Sequence, residues 1–418
     1  MSLEAIRFNR INPKKISVEV LDQLLLPYVT KYLPIYNISD GYAVIKSMQV
    51  RGAPAIAIVG ALSVLLETQH LLNTQDKLET SIYGSDLQNW GAIKFKLFTR
   101  LDFLLSSRPT AVNLSNALKD IRLIALDPKI TSLESFNQFL FTFVCKLVDD
   151  DLSNNIKMGN NGAKFLLDSL KAENFNEDFA VLTICNTGSL ATSGYGTALG
   201  VIRSLWNDSQ SKVGLLPSEQ ALSDSKAKLT HVYPLETRPY NQGSRLTAYE
   251  LIHDKIPTTL ITDSSIAYRI KTSKIPIKAA FVGADRIVRN GDTANKIGTF
   301  QLAIICKQFG IKFFVVAPKT TIDNVTETGD GIIVEERKPN EMKLVTGTSM
   351  HPETEEVLID EKSGSIMTHK VGIAPPDVDV WNPSFDVTPY NFITGIVTEE
   401  GVFTRNPKTD KFELDELF

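Results

Sequence analysis

Several short apolar runs in this chain end at side chains that can do acid–base chemistry. Stretches 179–185 (FAVLTIC), 231–235, 258–262, 279–283 and 312–317 read as buried strands. Just past them stand Cys185-Asn186-Thr187-Gly188, Glu236-Thr237-Arg238, Asp263-Ser264-Ser265, Asp285 and Pro318. In a parallel sheet all of these share one edge, so topology would gather a thiol, several carboxylates and a guanidinium around one crevice. Taken singly, each has a plainer reading. Asp285 suits a turn or a helix cap, and Cys185 suits a buried structural thiol.

The richest stretch is FVGADRIVRNGDTANKIGTFQLAI, residues 281–304. An apolar run stops at Asp285, and a polar, glycine-containing loop carries Asn295 and Lys296. Gly298 and Thr299 then lead into a helix-periodic run. Strand, acid, polar loop, helix is the layout of a ligand crevice in an α/β sheet. RGAP (51–54) offers an anion site, because Arg51 precedes a helix start whose free N–H groups favour negative charge. Arg108 precedes a second helix start at Pro109. Taken alone, Arg51, Arg108 and Lys296 each read more simply as solvated cations. Gly194, Gly196 and Gly200 follow a strand and open a helix, but their spacing departs from a dinucleotide fingerprint.

The elements that would position these residues fall into two patterns. A hairpin is expected within 17–27, with Asp22 and Gln23 at its turn. Ser39 and Asp40 are N-cap candidates for a helix to about Met48. Residues 51–69 form a helix apolar almost all round, hence buried, with Pro54 in its first turn. Further helices are expected over 93–106, from Pro109 and Thr110 to Leu126, and once or twice within 132–170. Beyond residue 178 the strand runs alternate with helical stretches at 196–206, 243–254, 264–272 and 299–309. That alternation predicts an α/β fold with a mostly parallel, doubly wound sheet. The expected domains are a mainly helical one over 1–150 with a short β element, and a sheet domain over 151–418, with the boundary inside 140–178. Segments 207–230 and 347–370 are polar and read as inserted surface loops.

Composition limits the function. With 418 residues, 43% apolar and 22% charged, the chain can bury a core of two domains and reads as soluble and globular. A net charge of −4 argues against binding nucleic acid through bulk positive charge, so any positive charge for an anionic small molecule must be local. Three dispersed cysteines fit a reducing compartment, and five scattered histidines give no metal site. No secretory leader is apparent, no apolar run is expected to span a bilayer, and no membrane partner is expected.

Six segments together resemble the methylthioribose-1-phosphate isomerase family: RGAPAIAIVGA (51–61), SRPTAVNL (107–114), CNTGSLATSGYGTALGVI (185–202), ETRPYNQGSRLTAYEL (236–251), GADRIVRNGDTANKIGT (283–299) and NPSFDVTPYNFITGIVTEEGVF (382–403). They follow the family's order from Arg51 onward, apart from the two inserted segments. The wider superfamily includes ribose-1,5-bisphosphate isomerases and the regulatory subunits of the nucleotide exchange factor of translation initiation. The resemblance implies a step of methionine salvage, 5-methylthioribose 1-phosphate to 5-methylthioribulose 1-phosphate, with neither metal nor organic cofactor. It implies a helical N-terminal domain joined to a Rossmann-like domain, a homodimer, and a cytoplasmic location with a nuclear pool left open. It implies Cys185 and Asp285 as the catalytic pair, and Arg51, Gly52, Ala53, Arg108, Gln242, Asn295 and Lys296 as substrate contacts; the match shows no departure at these positions. The residue types suit the task. A carboxylic acid can protonate the ring oxygen of an aldose blocked at its anomeric oxygen, and a thiol can pass a proton between carbons. A hydride route with both groups only polarising remains open. Two further readings are a non-catalytic assembly subunit and an isomerase of the bisphosphorylated sugar.

Overall fold

The structure, a computed structural model, describes residues 3–73, 82–83, 89–108, 112–212 and 221–417. These form two compact units. The first comprises 1–24, 31–157 and 187–200; the second comprises 25–30, 158–186 and 201–418.

In the first unit, β1 (Ile6–Asn9), β2 (Ser17–Leu21) and β3 (Tyr32–Ile35) make an antiparallel sheet with β2 in the middle. The hairpin expected within 17–27 is therefore longer than predicted. The chain turns at Asp22, whose carboxylate accepts the Leu24 N–H at 3.0 Å, but pairs again only at Tyr32. Helix α1 spans Ile38–Lys46, and its N-cap is Asn37 rather than Ser39 or Asp40. The Asn37 side chain accepts the Asp40 N–H at 3.1 Å, and the Asp40 carboxylate accepts the Tyr36 N–H at 2.9 Å. Asp40 is thus the returning acid of a reciprocal cap.

Helix α2 (Ala53–Asn73) is the core of this unit. It corrects the expectation about membranes: by length and composition it is apolar enough to cross one, yet 89% of that stretch is buried inside the protein. An all-round apolar helix needs neighbours on every side. Here α3 (Trp90–Leu105), α4 (Val112–Leu126) and α5 (Leu133–Ala172) accompany it. Helix α5 is one continuous helix of 40 residues, and the division between units falls within it, after Lys157. Pro109 and Thr110 lie outside the described residues.

Downstream, the strands are β4 (Asp178–Thr183), β5 (Lys228–Pro234), β6 (Ile277–Val282), β7 (Arg286–Val288), β8 (Thr293–Lys296), β9 (Lys312–Val316), β10 (Ile322–Asp323), β11 (Leu344–Thr348), β12 (Thr368–Gly372), β13 (Phe385–Thr388), β14 (Gly395–Val397) and β15 (Val402–Phe403). Between them run α6 (Ala198–Lys212), α7 (Ala248–His253), α8 (Ile266–Thr272) and α9 (Thr299–Gln308). The main sheet has the order β15-β14-β9-β6-β4-β5 and is parallel except at the β14–β15 edge. From β4 the chain moves outward to β5 on one side, then returns to β6 on the other. The switch point therefore lies between β4 and β6, where a doubly wound sheet opens its crevice. Phe281, Phe313, Val315, Leu182 and Cys306 are among the residues buried in this unit's core.

Two expectations change here. The strand predicted at 258–262 shrinks to two isolated parallel bridges, Val232 to Thr258 and Leu235 to Ile261. Thr259 and Leu260 are exposed beyond β5, so no burial demands a regular ladder there. Segment 347–370 is an antiparallel ribbon rather than an irregular loop. Strands β11 and β12 pair from Leu344–Gly372 to Thr348–Thr368, and bridges at Met350–Val357 and Ile359–Ile366 prolong it. Of segment 207–230, residues 207–212 complete α6 and 228–230 begin β5, while 213–220 lie outside the described residues.

Candidate active site

Strands β4 and β6 are neighbours, with Thr183 level with Phe281. Cys185 follows β4 by two residues and Asp285 follows β6 by three, so both stand beyond the carboxyl edge at the switch point. Cys185 is 8% exposed and its φ is +72°, in the left-handed region. For a residue with a β-carbon this costs on the order of 1 kcal/mol, and it persists only where neighbours impose it. Here both sides of Cys185 are tied. Its N–H donates to Thr237 Oγ1 at 2.9 Å, and its carbonyl accepts the Thr247 hydroxyl. Thr237 is itself at φ +62°; its N–H donates to Asp263 Oδ1 at 2.8 Å, and the Arg238 N–H donates to Oδ2 at 2.8 Å. The segment from Thr237 to Thr247 turns tightly against its own strand: a β-carbon on Gly243 would lie 1.6 Å from the Leu235 carbonyl oxygen. Gln242, the residue before that glycine, is buried.

Asp285 is half-buried, and its N–H donates to the Ala294 carbonyl at 2.9 Å. Asn295 and Lys296 come next, and their placement is a correction. They lie on β8, paired with β13 in a second sheet of order β10-β7-β8-β13, rather than in a loop. Burial on a strand explains why these polar residues are ordered. Asn295 Nδ2 donates to Thr299 Oγ1 at 3.0 Å. Lys296, 8% exposed, donates to the Ser384 carbonyl at 3.0 Å, and its ammonium lies 4.4 Å from the Phe385 ring centre and 5.6 Å from that of Tyr240. Two aromatic faces favour a cation there. Tyr240 is in turn held by the Glu341 carboxylate and by Arg337 Nε at 3.1 Å; burial first, then Glu341, pushes its hydroxyl up to about 12.

Asp386 was not foreseen as part of this region. Its carboxylate accepts the Gly298 N–H at 2.7 Å and the Phe300 N–H at 3.1 Å, capping α9 from β13. Burial pushes its carboxyl up to about 6, against the pull of those two donors and of Lys296. A cavity of about 510 Å³ lies alongside, lined by Arg238, Asp263, Gly298, Phe300, Gln301 and Asp386 among others.

In the first unit, Arg51 is buried, with Nη2 3.0 Å from Met48 Sδ. Gly52 has φ +93°, and a β-carbon on it would lie 2.3 Å from the Ala191 carbonyl oxygen. Only glycine allows the turn before α2 to rest on the 3₁₀ turn Ser189–Ala191. Ala53 begins α2, whose first-turn amides lack intrahelical acceptors. Arg108 is half-buried and ends the turn after α3, its N–H donating to the Leu105 carbonyl at 3.1 Å. The glycine-rich stretch has a packing explanation: a β-carbon on Gly196 would lie 2.5 Å from Gly188 Cα. Of the predicted site residues, Cys185, Gln242, Asp285, Asn295 and Lys296 thus fall in the second unit, and Arg51, Gly52, Ala53 and Arg108 in the first. Among the described residues, no group of three or more His, Cys, Asp or Glu side chains could hold a metal.

A family model described as the initiation factor 2 subunit family matches residues 49–405, and the chain belongs to that family. Within this class its resemblance is specific. It is 69% identical, over 100% of both chains, to the methylthioribose-1-phosphate isomerase of Vanderwaltozyma polyspora, and 65% identical, over 100% of both, to proteins of that name from Saccharomyces cerevisiae strains. Among solved structures it resembles 5-methylthioribose 1-phosphate isomerase from Pyrococcus horikoshii at 31% identity and a TM-score of 0.74, over 99% of this chain and 95% of that one. It also resembles the translation initiation factor eIF-2B subunit delta of A. fulgidus at 32% identity and a TM-score of 0.70, over 98% of each. Two names at nearly equal structural likeness mean that the fold alone does not select an activity.

Proposed function

We infer that this chain is an aldose–ketose isomerase that converts 5-methylthioribose 1-phosphate to 5-methylthioribulose 1-phosphate in methionine salvage. The observation that carries this reading is the 69% identity, over the full length of both chains, to a protein named for that reaction. The placement of Cys185 and Asp285 past adjacent strands at the switch point supports it from the chain itself.

The reaction needs a proton at the ring oxygen and the transfer of hydrogen from C2 to C1. In this reading the Asp285 carboxyl gives its proton to the ring oxygen as the bond from that oxygen to C1 breaks. The Cys185 thiolate removes the C2 proton, forming an enol phosphate, and returns a proton to C1. The C2 hydroxyl proton passes back to Asp285 and the ketone forms, leaving both groups as they began. Lys296, Arg51, Arg108 and the amides at Gly52 and Ala53 are suited to phosphate oxygens by charge and by helix-end geometry. Gln242 and Asn295 are suited to sugar hydroxyls. The active form is proposed to be a homodimer in the cytoplasm, readable by sedimentation and by cell fractionation.

The assay that tests the substrate compares 5-methylthioribose 1-phosphate with ribose 1,5-bisphosphate under identical conditions. The expected kcat/KM ratio is about 100-fold or more in favour of the thioether sugar, since a charged 5-phosphate and an apolar methylthio group need opposite surroundings. A ratio that favours the bisphosphate would replace the substrate while leaving the reaction class.

A further inference from the structure

We propose that Thr237 and Thr247 are positioning residues that hold the Cys185 backbone in its left-handed conformation so that the thiol faces the reacting carbons. The proposal rests on Cys185 being the catalytic thiol. Cys185 and Thr237 are non-glycine residues at φ +72° and +62°, joined by a hydrogen bond. Strain of this kind relaxes unless the surroundings fix both peptide planes. Thr237 Oγ1 accepts the Cys185 N–H at 2.9 Å and donates to the Leu235 carbonyl at 3.0 Å, so the hydroxyl spans β5's end and the residue after β4. On the other side of the same residue, the Thr247 hydroxyl donates to the Cys185 carbonyl. Both threonines are wholly buried, so bulk water does not compete with either hydroxyl. Thr237 is held in its turn by Asp263, whose two carboxylate oxygens accept the N–H groups of Thr237 and Arg238 at 2.8 Å each. A chain of fixed groups therefore runs from Asp263 through Thr237 to the Cys185 amide. A thiol that must reach two adjacent carbons in turn loses rate when its backbone swings by a fraction of an ångström.

Alanine and serine differ here only by the hydroxyl, and both meet the same backbone strain. Turnover and KM are measured for Thr237→Ala and Thr237→Ser, with Cys185→Ser alongside. The expected result is a kcat for the serine variant at least about tenfold above that of the alanine variant, with KM values within about threefold of each other. Iodoacetamide labelling of Cys185, followed by mass spectrometry, should show a changed rate in the alanine variant and the parent rate in the serine variant. Equal kcat in the two Thr237 variants overturns the proposal, provided Cys185→Ser is inactive. If Cys185→Ser turns over normally, the role of the thiol itself has failed. Should both Thr237 variants fail to fold, the Thr247→Ala and Thr247→Ser pair reads the same hydroxyl dependence at the carbonyl, and equal kcat there overturns it.

Discussion

At the scale of the residue, the proposed chemistry turns on what the thiol at Cys185 does with the hydrogen on C2. If the thiol relays a proton, the hydrogen exchanges with solvent at least in part while it resides on sulfur. Substrate deuterated at C2 and turned over in ordinary water is therefore expected to yield ketose with deuterium depleted at C1. Complete retention at C1 would exclude a relay whose S–H exchanges with water and would favour the hydride route, with Cys185 and Asp285 only polarising. The placement of Cys185 and Asp285 past neighbouring strands was legible before the fold was known, because each follows an apolar run by a few residues and a parallel sheet aligns strand ends. Thr237 and Thr247 were not. Nothing in the residue type threonine announces a φ of +62°, and a hydroxyl that serves a backbone 52 positions away leaves no local spacing to read.

At the scale of the element, Asp386 links β13 to the start of α9, and its protonation should be visible in stability. In the fold its carboxyl titrates at about 6, above the ordinary 3.8. The fold thus favours the protonated form. The stabilising contribution is fully present below about pH 4 and is lost as pH rises through about 6, a change of up to roughly 3 kcal/mol. Asp386→Asn removes this dependence, so the melting temperature of the variant minus that of the parent should rise by a few degrees between pH 4 and pH 7. A difference that stays constant over that range would contradict the shift. Gly243 gives a steric prediction. Its missing β-carbon would lie 1.6 Å from the Leu235 carbonyl, whereas Gly347 on β11 has nothing within 4 Å. Gly243→Ala is expected to cost about 4 kcal/mol or more in chemical denaturation, and Gly347→Ala less than about 0.5 kcal/mol. Helix positions and the parallel strands β4, β5, β6 and β9 followed from apolar runs, whereas β14, parallel to β9 in the same sheet, was not foreseen. The bridges at 258–262 and the strand character of Asn295 and Lys296 did not follow either, because tertiary pairing decided them.

At the scale of the whole molecule, the candidate site is built from strand ends, and the inserted ribbon is largely exposed. All five residues of β12 are exposed. Just upstream of the ribbon, by contrast, Arg337 and Glu341 grip Tyr240, and Arg238 Nη2 donates to the Met342 carbonyl at 3.0 Å. Replacing residues 350–366 by a two-residue turn while keeping 335–349 is therefore expected to leave kcat within about twofold, by steady-state assay, since exposed tips carry little of the fold's stability. The division into a helical part and a sheet part could be read from the change of pattern near residue 178. That segments 187–200 and 25–30 each belong to the other unit could not, since a compact unit need not be continuous in sequence. The claim on which everything else depends is that Asp285, at the switch point of the sheet, drives an isomerisation. Asparagine keeps the shape of this side chain and removes its transferable proton. Turnover of 5-methylthioribose 1-phosphate by Asp285→Asn should fall by about 10³-fold or more, a loss within the range for deleting a general acid, with the melting temperature unchanged within a few degrees; turnover within tenfold of the parent would contradict the account.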